Sequence, residues 1–265
     1  MIAPAEFLLT LAGVHRSHIG QAVWSGSMVR ILEDLGIPES ACRVALFRLT
    51  ARGVVTRENR GRLTFYRISE RAARGFDETD RRVLGFGRGV DPGHTVVWHT
   101  LPESSRGDRT RLARRLRFIG FGALQDGTWI ALQDRYTEAL DIVGRLDLVD
   151  HCAVLAGRDA ELSNPRLIAE TAWDLDGLKE TYKKFLETVA RKNVPRSNPK
   201  DIFFFRVLMA HEYRTFPALD PEREGLDTEL DTLRRQVVSR FHELFFKLQA
   251  TAEQYADEVA IPRVD

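Results

Sequence analysis

Only two cysteines, Cys42 and Cys152, occur in the 265 residues. They are far apart and match neither a zinc nor a redox spacing, which excludes a disulfide framework, a zinc finger and a Cys-x-x-Cys reductase. Both read as buried thiols in a reducing cytoplasm. No apolar run reaches membrane-spanning length. Residues 1–11 carry neither a basic flank nor a small-residue cleavage pattern, so no secretory leader is expected. A nucleophile elbow, a glycine-rich phosphate loop, a His-Glu-x-x-His helix and a carboxylate cluster are all missing. No cofactor or metal is expected, and His15 and His18, with no third ligand nearby, read as part of a polar surface link.

Net charge is scarce too, at +1, but it is unevenly spread. Residues 1–75 hold eleven arginines against six carboxylates and no lysine, whereas the remainder is slightly acidic. The N-terminal end is therefore the expected anion-binding end. Within it, residues 38–69 read as a helix, a break and a basic-tipped β-hairpin. Cys42, Leu46 and Leu49 recur at helical spacing and face inward, leaving Ser40, Arg43, Phe47 and Arg48 largely outside. Pro38 suits the helix start and Gly53 its stop. Residues 54–57 and 63–68 are rich in β-branched and aromatic types, with the polar run 58–62 as the turn. That is the plan of a winged helix-turn-helix, in which the helix enters the major groove and Arg57, Arg60 and Arg62 ride on the wing. Arg67 is a marginal member of this set. Arg48, beside core Leu49, suits a structural role nearly as well. The bland alternative is an ordinary helix and hairpin with solvated arginines.

Upstream, a short apolar helix ends at Gly13, and Trp24 reads as a packing anchor. Ser25 or Ser27 caps a supporting helix that stops at Gly36. Downstream, a charged run at 77–82 and the glycines 85, 87, 89 and 93 read as a linker over 76–93. Residues 94–160 follow the order strand, helix, strand pair, helix, strand, which predicts a ferredoxin-like α+β dimerisation domain. The basic helix face at Arg111, Arg114, Arg115 and Arg117 suits a second DNA contact, a ligand-phosphate site or plain solvation. Residues 161–265 read as a helical ligand or interaction domain, closing with one long helix over 227–257. The expected class is thus multidomain α+β.

Several blocks carry a family resemblance: the 115–122 segment ending Gly-Phe-Gly, Asp126-Gly127-Thr128-Trp129, Trp173-Asp174-Leu175, and above all His211-Glu212-Tyr213-Arg214-Thr215-Phe216-Pro217 with Asp220-Pro221. In this order they resemble the phenylacetic acid degradation repressors, the PaaX-like transcriptional regulators. The resemblance implies a homodimeric repressor of a catabolic operon, cytoplasmic, bound to double-stranded operator DNA and released by a small-molecule inducer. In the family's namesake that inducer is the aromatic acyl-CoA phenylacetyl-CoA. The chain departs from the pattern after Asp220-Pro221. It carries 222–227 as Glu-Arg-Glu-Gly-Leu-Asp and no tryptophan beyond Trp173, a departure that bears on the ligand and not on the architecture.

For the inducer, Trp129 and Trp173 offer rings for stacking, and His211, Tyr213 and Arg214 offer polar contacts. The competing reading of that last block is a buried polar network. A hydrolase or nuclease reading would use His211 and Glu212 as acid and base, but adjacent side chains diverge on a helix. Asp91, Asp126 and Asp134 form no clear metal constellation, and no enzymatic activity is expected.

Overall fold

A computed structural model describes residues 3–14, 21–87, 93–158 and 164–260, with Lys192 described through its backbone alone. The histidine-bearing link at 15–20, Gly89 and Asp91 lie outside these residues. The chain forms two compact units. One comprises residues up to Leu84, Val189–Tyr213 and Phe241 onward; the other comprises Gly85–Thr188 and Arg214–Arg240.

The first unit opens with α1 (Pro4–Val14). A two-residue strand β1 (Val23–Trp24) then runs directly into α2 (Ser25–Glu33). The expected serine cap is not used. Trp24 holds the N-cap position, and Ser27 donates its hydroxyl to the Trp24 carbonyl at 2.6 Å. α3 (Glu39–Ala51) starts behind an extended Pro38 and stops short of Gly53, whose φ of +66 needs glycine. Its buried stripe is Cys42, Ala45, Leu46 and Leu49.

β2 (Val55–Arg60) pairs antiparallel with β3 (Leu63–Ile68), from Val55↔Ile68 to Arg60↔Leu63. The polar run 58–62 is therefore mostly strand, and the turn is only Gly61-Arg62, with Gly61 at φ +60. β1 pairs along the other edge of β3, giving the order β1-β3-β2. α4 (Glu70–Gly85) runs straight through the charged stretch that reads as linker. Its Asp, Glu and Arg residues tolerate helix, and Val83 near its end is buried.

The second unit begins with β4 (His94–His99). It continues through α5 (Arg106–Phe118), β5 (Gly122–Gln125), β6 (Thr128–Ala131), α6 (Tyr136–Arg145) and β7 (Cys152–Gly157). The antiparallel sheet has the order β5-β6-β4-β7, so each helix lies on a crossover that skips one strand. Val97, Leu112, Leu116, Phe121, Trp129 and Val143 belong to the core on the helix side of the sheet. α7 (Pro165–Ala172) is capped by Asn164, whose side chain accepts from Leu167 N–H at 3.1 Å. It leads through buried Trp173 into α8 (Leu175–Thr188).

α9 (Pro199–Tyr213) returns to the first unit. Beyond it come α10 (Thr228–Lys247) and α11 (Gln249–Ala260). The single long helix expected over 227–257 is broken at Leu248, where no glycine or proline marks the break. α9 and α11 pack on each other, α1 packs on α9 and α2 on α11. The N-terminal helices thus share their core with the chain's last third: Phe203, Val207, Ala252 and Val259 are buried with Phe7 and Leu32.

Candidate nucleic-acid interface

The residues opposite the buried stripe of α3 form an open face. Ser40, Arg43, Val44, Phe47 and Arg48 are all exposed, and Phe47 is 73% accessible, unusual for a phenylalanine with no role outside the core. Arg43 Nε donates to Glu39 at 2.7 Å. Both side chains are largely solvated, so this pair holds by only a few tenths of a kcal/mol (~0.3–0.5) and gives way readily to another anion. α2 packs against α3 and fixes its back. The 13-residue length of α3 and the fixed inner stripe leave its outer side chains to reach solvent as a row.

On the hairpin, Arg57, Arg60 and Arg62 are exposed. The Arg60 guanidinium sits 4.7 Å from the centre of the Phe65 ring and donates to Glu58 at 2.9 Å, and Arg67 lies 3.5 Å from the same carboxylate. The Arg60 hydrogen bond, with the Arg67 charge behind it, holds the Glu58 carboxyl below its usual range. Arg60 is thereby held flat on the hairpin. Among the described residues no ion pair ties down Arg48, Arg57 or Arg62. Chemically this is a helix face and a hairpin tip rich in planar donors suited to phosphate oxygens and guanine edges.

The residues weighed for a small-molecule contact are divided between the units. In the first, Tyr213 is fully buried and stacked on Phe241 with centroids 3.6 Å apart, and His211 Nδ1 lies 2.8 Å from Thr10 Oγ1. Burial raises the Glu212 carboxyl above its usual range. In the second, Trp173 is buried against Gly122, where any Cβ would meet its ring at 2.7 Å. Trp129 packs in the sheet core with the Arg117 guanidinium 4.9 Å from its ring centre, and Arg214 is half-buried.

Sequence reading passes over two buried networks. In the first unit Arg206 is 1% exposed. It donates to the carbonyls of Phe245 at 2.9 Å and Val14 at 3.4 Å, and lies 4.1 Å from the Phe245 ring centre. Burial pushes its guanidinium down to about 10. The only local signal is a lone cation inside an apolar helical run. In the second unit Asp220 is fully buried and accepts from Tyr182 Oη at 2.6 Å and Arg234 Nε at 2.8 Å. It also accepts from the N–H of Glu222, which is held at φ +50. The Asp220-Pro221 element is thus an anchored turn, with Gln133 donating to the Glu222 carbonyl at 2.8 Å. Among the described residues no group of three or more His, Cys, Asp or Glu is placed to hold a metal. No described helix is long and apolar enough to cross a membrane.

Three family models match the chain in order: a PaaX-like protein model over residues 4–72, the PaaX protein central Cas2-like domain over 89–169, and the PaaX-like protein C-terminal domain over 173–258. The transcriptional repressor PaaX of Escherichia coli (strain K12) is 25% identical over 232 residues, spanning 83% of this chain and 72% of that protein. An uncharacterized protein from Mycobacterium tuberculosis, Rv0674, shares the fold with a TM-score of 0.54 at 22% identity, over 95% of this chain and 97% of that one.

Proposed function

Since the chain belongs to the PaaX-like protein family, we propose that it is a DNA-binding transcriptional repressor whose first unit is a winged helix-turn-helix reader. The observation that carries this reading is the outward row Ser40, Arg43, Phe47 and Arg48 on α3, beside the exposed Arg57, Arg60 and Arg62 of the hairpin. α3 enters the major groove, α2 supports it, and the hairpin arginines take backbone phosphates. Catalysis has no part in this reading.

A homodimer suits it, because a two-fold operator needs two readers. Two features of the sheet in the second unit support it as the surface for the second copy. β7 is an edge strand carrying no charged side chain. On the sheet face away from α5 and α6, Trp98 is 51% and Leu155 60% exposed. An open, uncharged edge beside apolar side chains is what a partner chain covers.

The inducer, a small molecule of the aromatic acyl-CoA class, has to bind the DNA-incompetent arrangement more tightly than the competent one. Fluorescence anisotropy against the DNA upstream of the protein's own gene tests the whole reading, at two salt concentrations, with and without aryl-CoA thioesters. Tight, salt-sensitive binding released by a thioester is the expected result. Binding that ignores every thioester removes the inducer class and keeps the repressor. Absence of specific binding at both salts overturns the reader for that DNA.

A further inference from the structure

The second unit contains a hollow of about 910 Å³ between α5 and the β5–β6 side of the sheet, which the DNA-reading account does not use. Arg106, Arg109, Arg114 and Arg117 line it from successive turns of α5, against only two carboxylates, Glu103 and Asp126. Asp126 is already engaged with Arg109. Among the described residues no carboxylate pairs with Arg106, Arg114 or Arg117, and of the three only Arg117 is engaged, its guanidinium lying over the Trp129 ring. His99, at the end of β4, also lines the hollow. It is 8% exposed, and its Nδ1 has no hydrogen-bond partner among the described residues. A buried ring nitrogen left without a partner costs free energy unless something enters to meet it.

We propose that this hollow binds a small molecule through two linked phosphates. The arginine forks take the outer oxygens, and the His99 Nδ1–H tautomer donates to an oxygen at the floor. Arginine matches the geometry of a phosphate bidentately, and three of the four guanidinium groups have no competing carboxylate. Burial, with the nearby Arg109 charge, holds the His99 pKa below its usual value, so the ring is a neutral donor and not a fixed cation. The hollow lies within the range of ~300–1,000 Å³ of small-ligand pockets, large enough for the ester group beyond the phosphates. Concavity separates this ligand from duplex DNA, whose backbone would meet the rim arginines without reaching His99. Nucleoside diphosphates and coenzyme A share the required diphosphate. Occupancy by an inducer would rest on the repressor reading; the phosphate site itself does not.

Isothermal titration calorimetry on the full chain, without DNA, tests the site with inorganic pyrophosphate, ADP and coenzyme A as probes. Saturable binding is expected, weakened about tenfold or more in Arg106→Ala/Arg114→Ala, two exposed side chains whose loss spares the core. His99→Phe should lose affinity, and His99→Asn, which returns an N–H near Nδ1, should recover it. If the His99 variants do not fold, the arginine pair decides. Tighter binding of ADP or of coenzyme A than of pyrophosphate identifies the ester source. The proposal fails if no probe binds, or if the arginine pair leaves probe affinity unchanged. A parallel anisotropy titration in which that pair weakens only a random-sequence duplex overturns it equally and makes the surface a DNA contact. Because binding is read without DNA, a chain that ignores every operator can still pass this test.

Discussion

The Asp34 carboxylate accepts a hydrogen bond from Tyr255 Oη at 2.6 Å, across 221 residues of sequence. Lys200 Nζ donates to its other oxygen at the same distance. The residue that follows α2 is thereby tied to both α9 and α11, and the helix supporting α3 is anchored by the last third of the chain. Burial alone would raise the Asp34 pKa, but these two hydrogen bonds and the Lys200 charge hold it below the usual carboxylate value. A depressed carboxylate contributes stability that is present above its unfolded pKa near 4 and is lost as pH falls through the folded value. Tyr255→Phe should lower unfolding free energy by about 1 kcal/mol at pH 7. In urea melts, the difference between Asp34→Asn and wild type should shrink as pH drops below about 4.

The Asp220–Arg234–Tyr182 cluster should behave as a buried ion pair whose halves depend on each other. Asp220→Ala leaves the Arg234 charge buried and without its main partner, and should cost about 3–5 kcal/mol. Tyr182→Phe removes one hydrogen bond and should cost about 1–2 kcal/mol. Chemical denaturation measures both. Near-equal costs would mean that the carboxylate is not the centre of the cluster.

Cys42 is fully buried on the inner stripe of α3, and burial pushes its thiol up to about 11. In a Cys152→Ser variant, a thiol reagent at pH 8 should therefore label Cys42 only at the rate at which the first unit opens. Rapid labelling of the folded chain would show that α3 is not held as described.

In the proposed homodimer, Leu155→Lys and Trp98→Arg place charge on the open face beside β7 and should shift sedimentation toward monomer. Specific DNA affinity should fall with it, since one reader covers one half-site. A sedimentation profile unchanged in both variants would overturn this face as the proposed dimer contact.

Much of the α3 and hairpin segment was legible because its determinants are local. The stripe Cys42–Leu46–Leu49, the break at Gly53 and the β-branched runs state helix and hairpin within about thirty residues. The strand and helix order over residues 94–157 was legible for the same reason. β1 was not, since two residues carry no period, and only its pairing with Tyr66 and Phe65 makes it a strand. The extension of α4 was hidden because a charged run suits a solvated helix as well as a linker. Arg206, His99 and the Asp34–Tyr255 bond were hidden because their meaning depends on partners distant in sequence or on burial. The outward residues of α3 were named correctly as exposed. Their contacts in the proposed DNA complex are stated by no local pattern.

In the proposed complex α3 reads base edges while the hairpin grips phosphate. The direct measurement is the affinity ratio between the protein's own upstream DNA and a random duplex, for wild type, Arg43→Ala, and Arg57→Ala/Arg62→Ala. Arg43→Ala should erode the ratio by about 1–3 kcal/mol. The hairpin pair should weaken both DNAs alike, leave the ratio standing, and lower the salt slope by about two units. If Arg43→Ala leaves the ratio intact while the hairpin pair abolishes it, α3 is not the reading element.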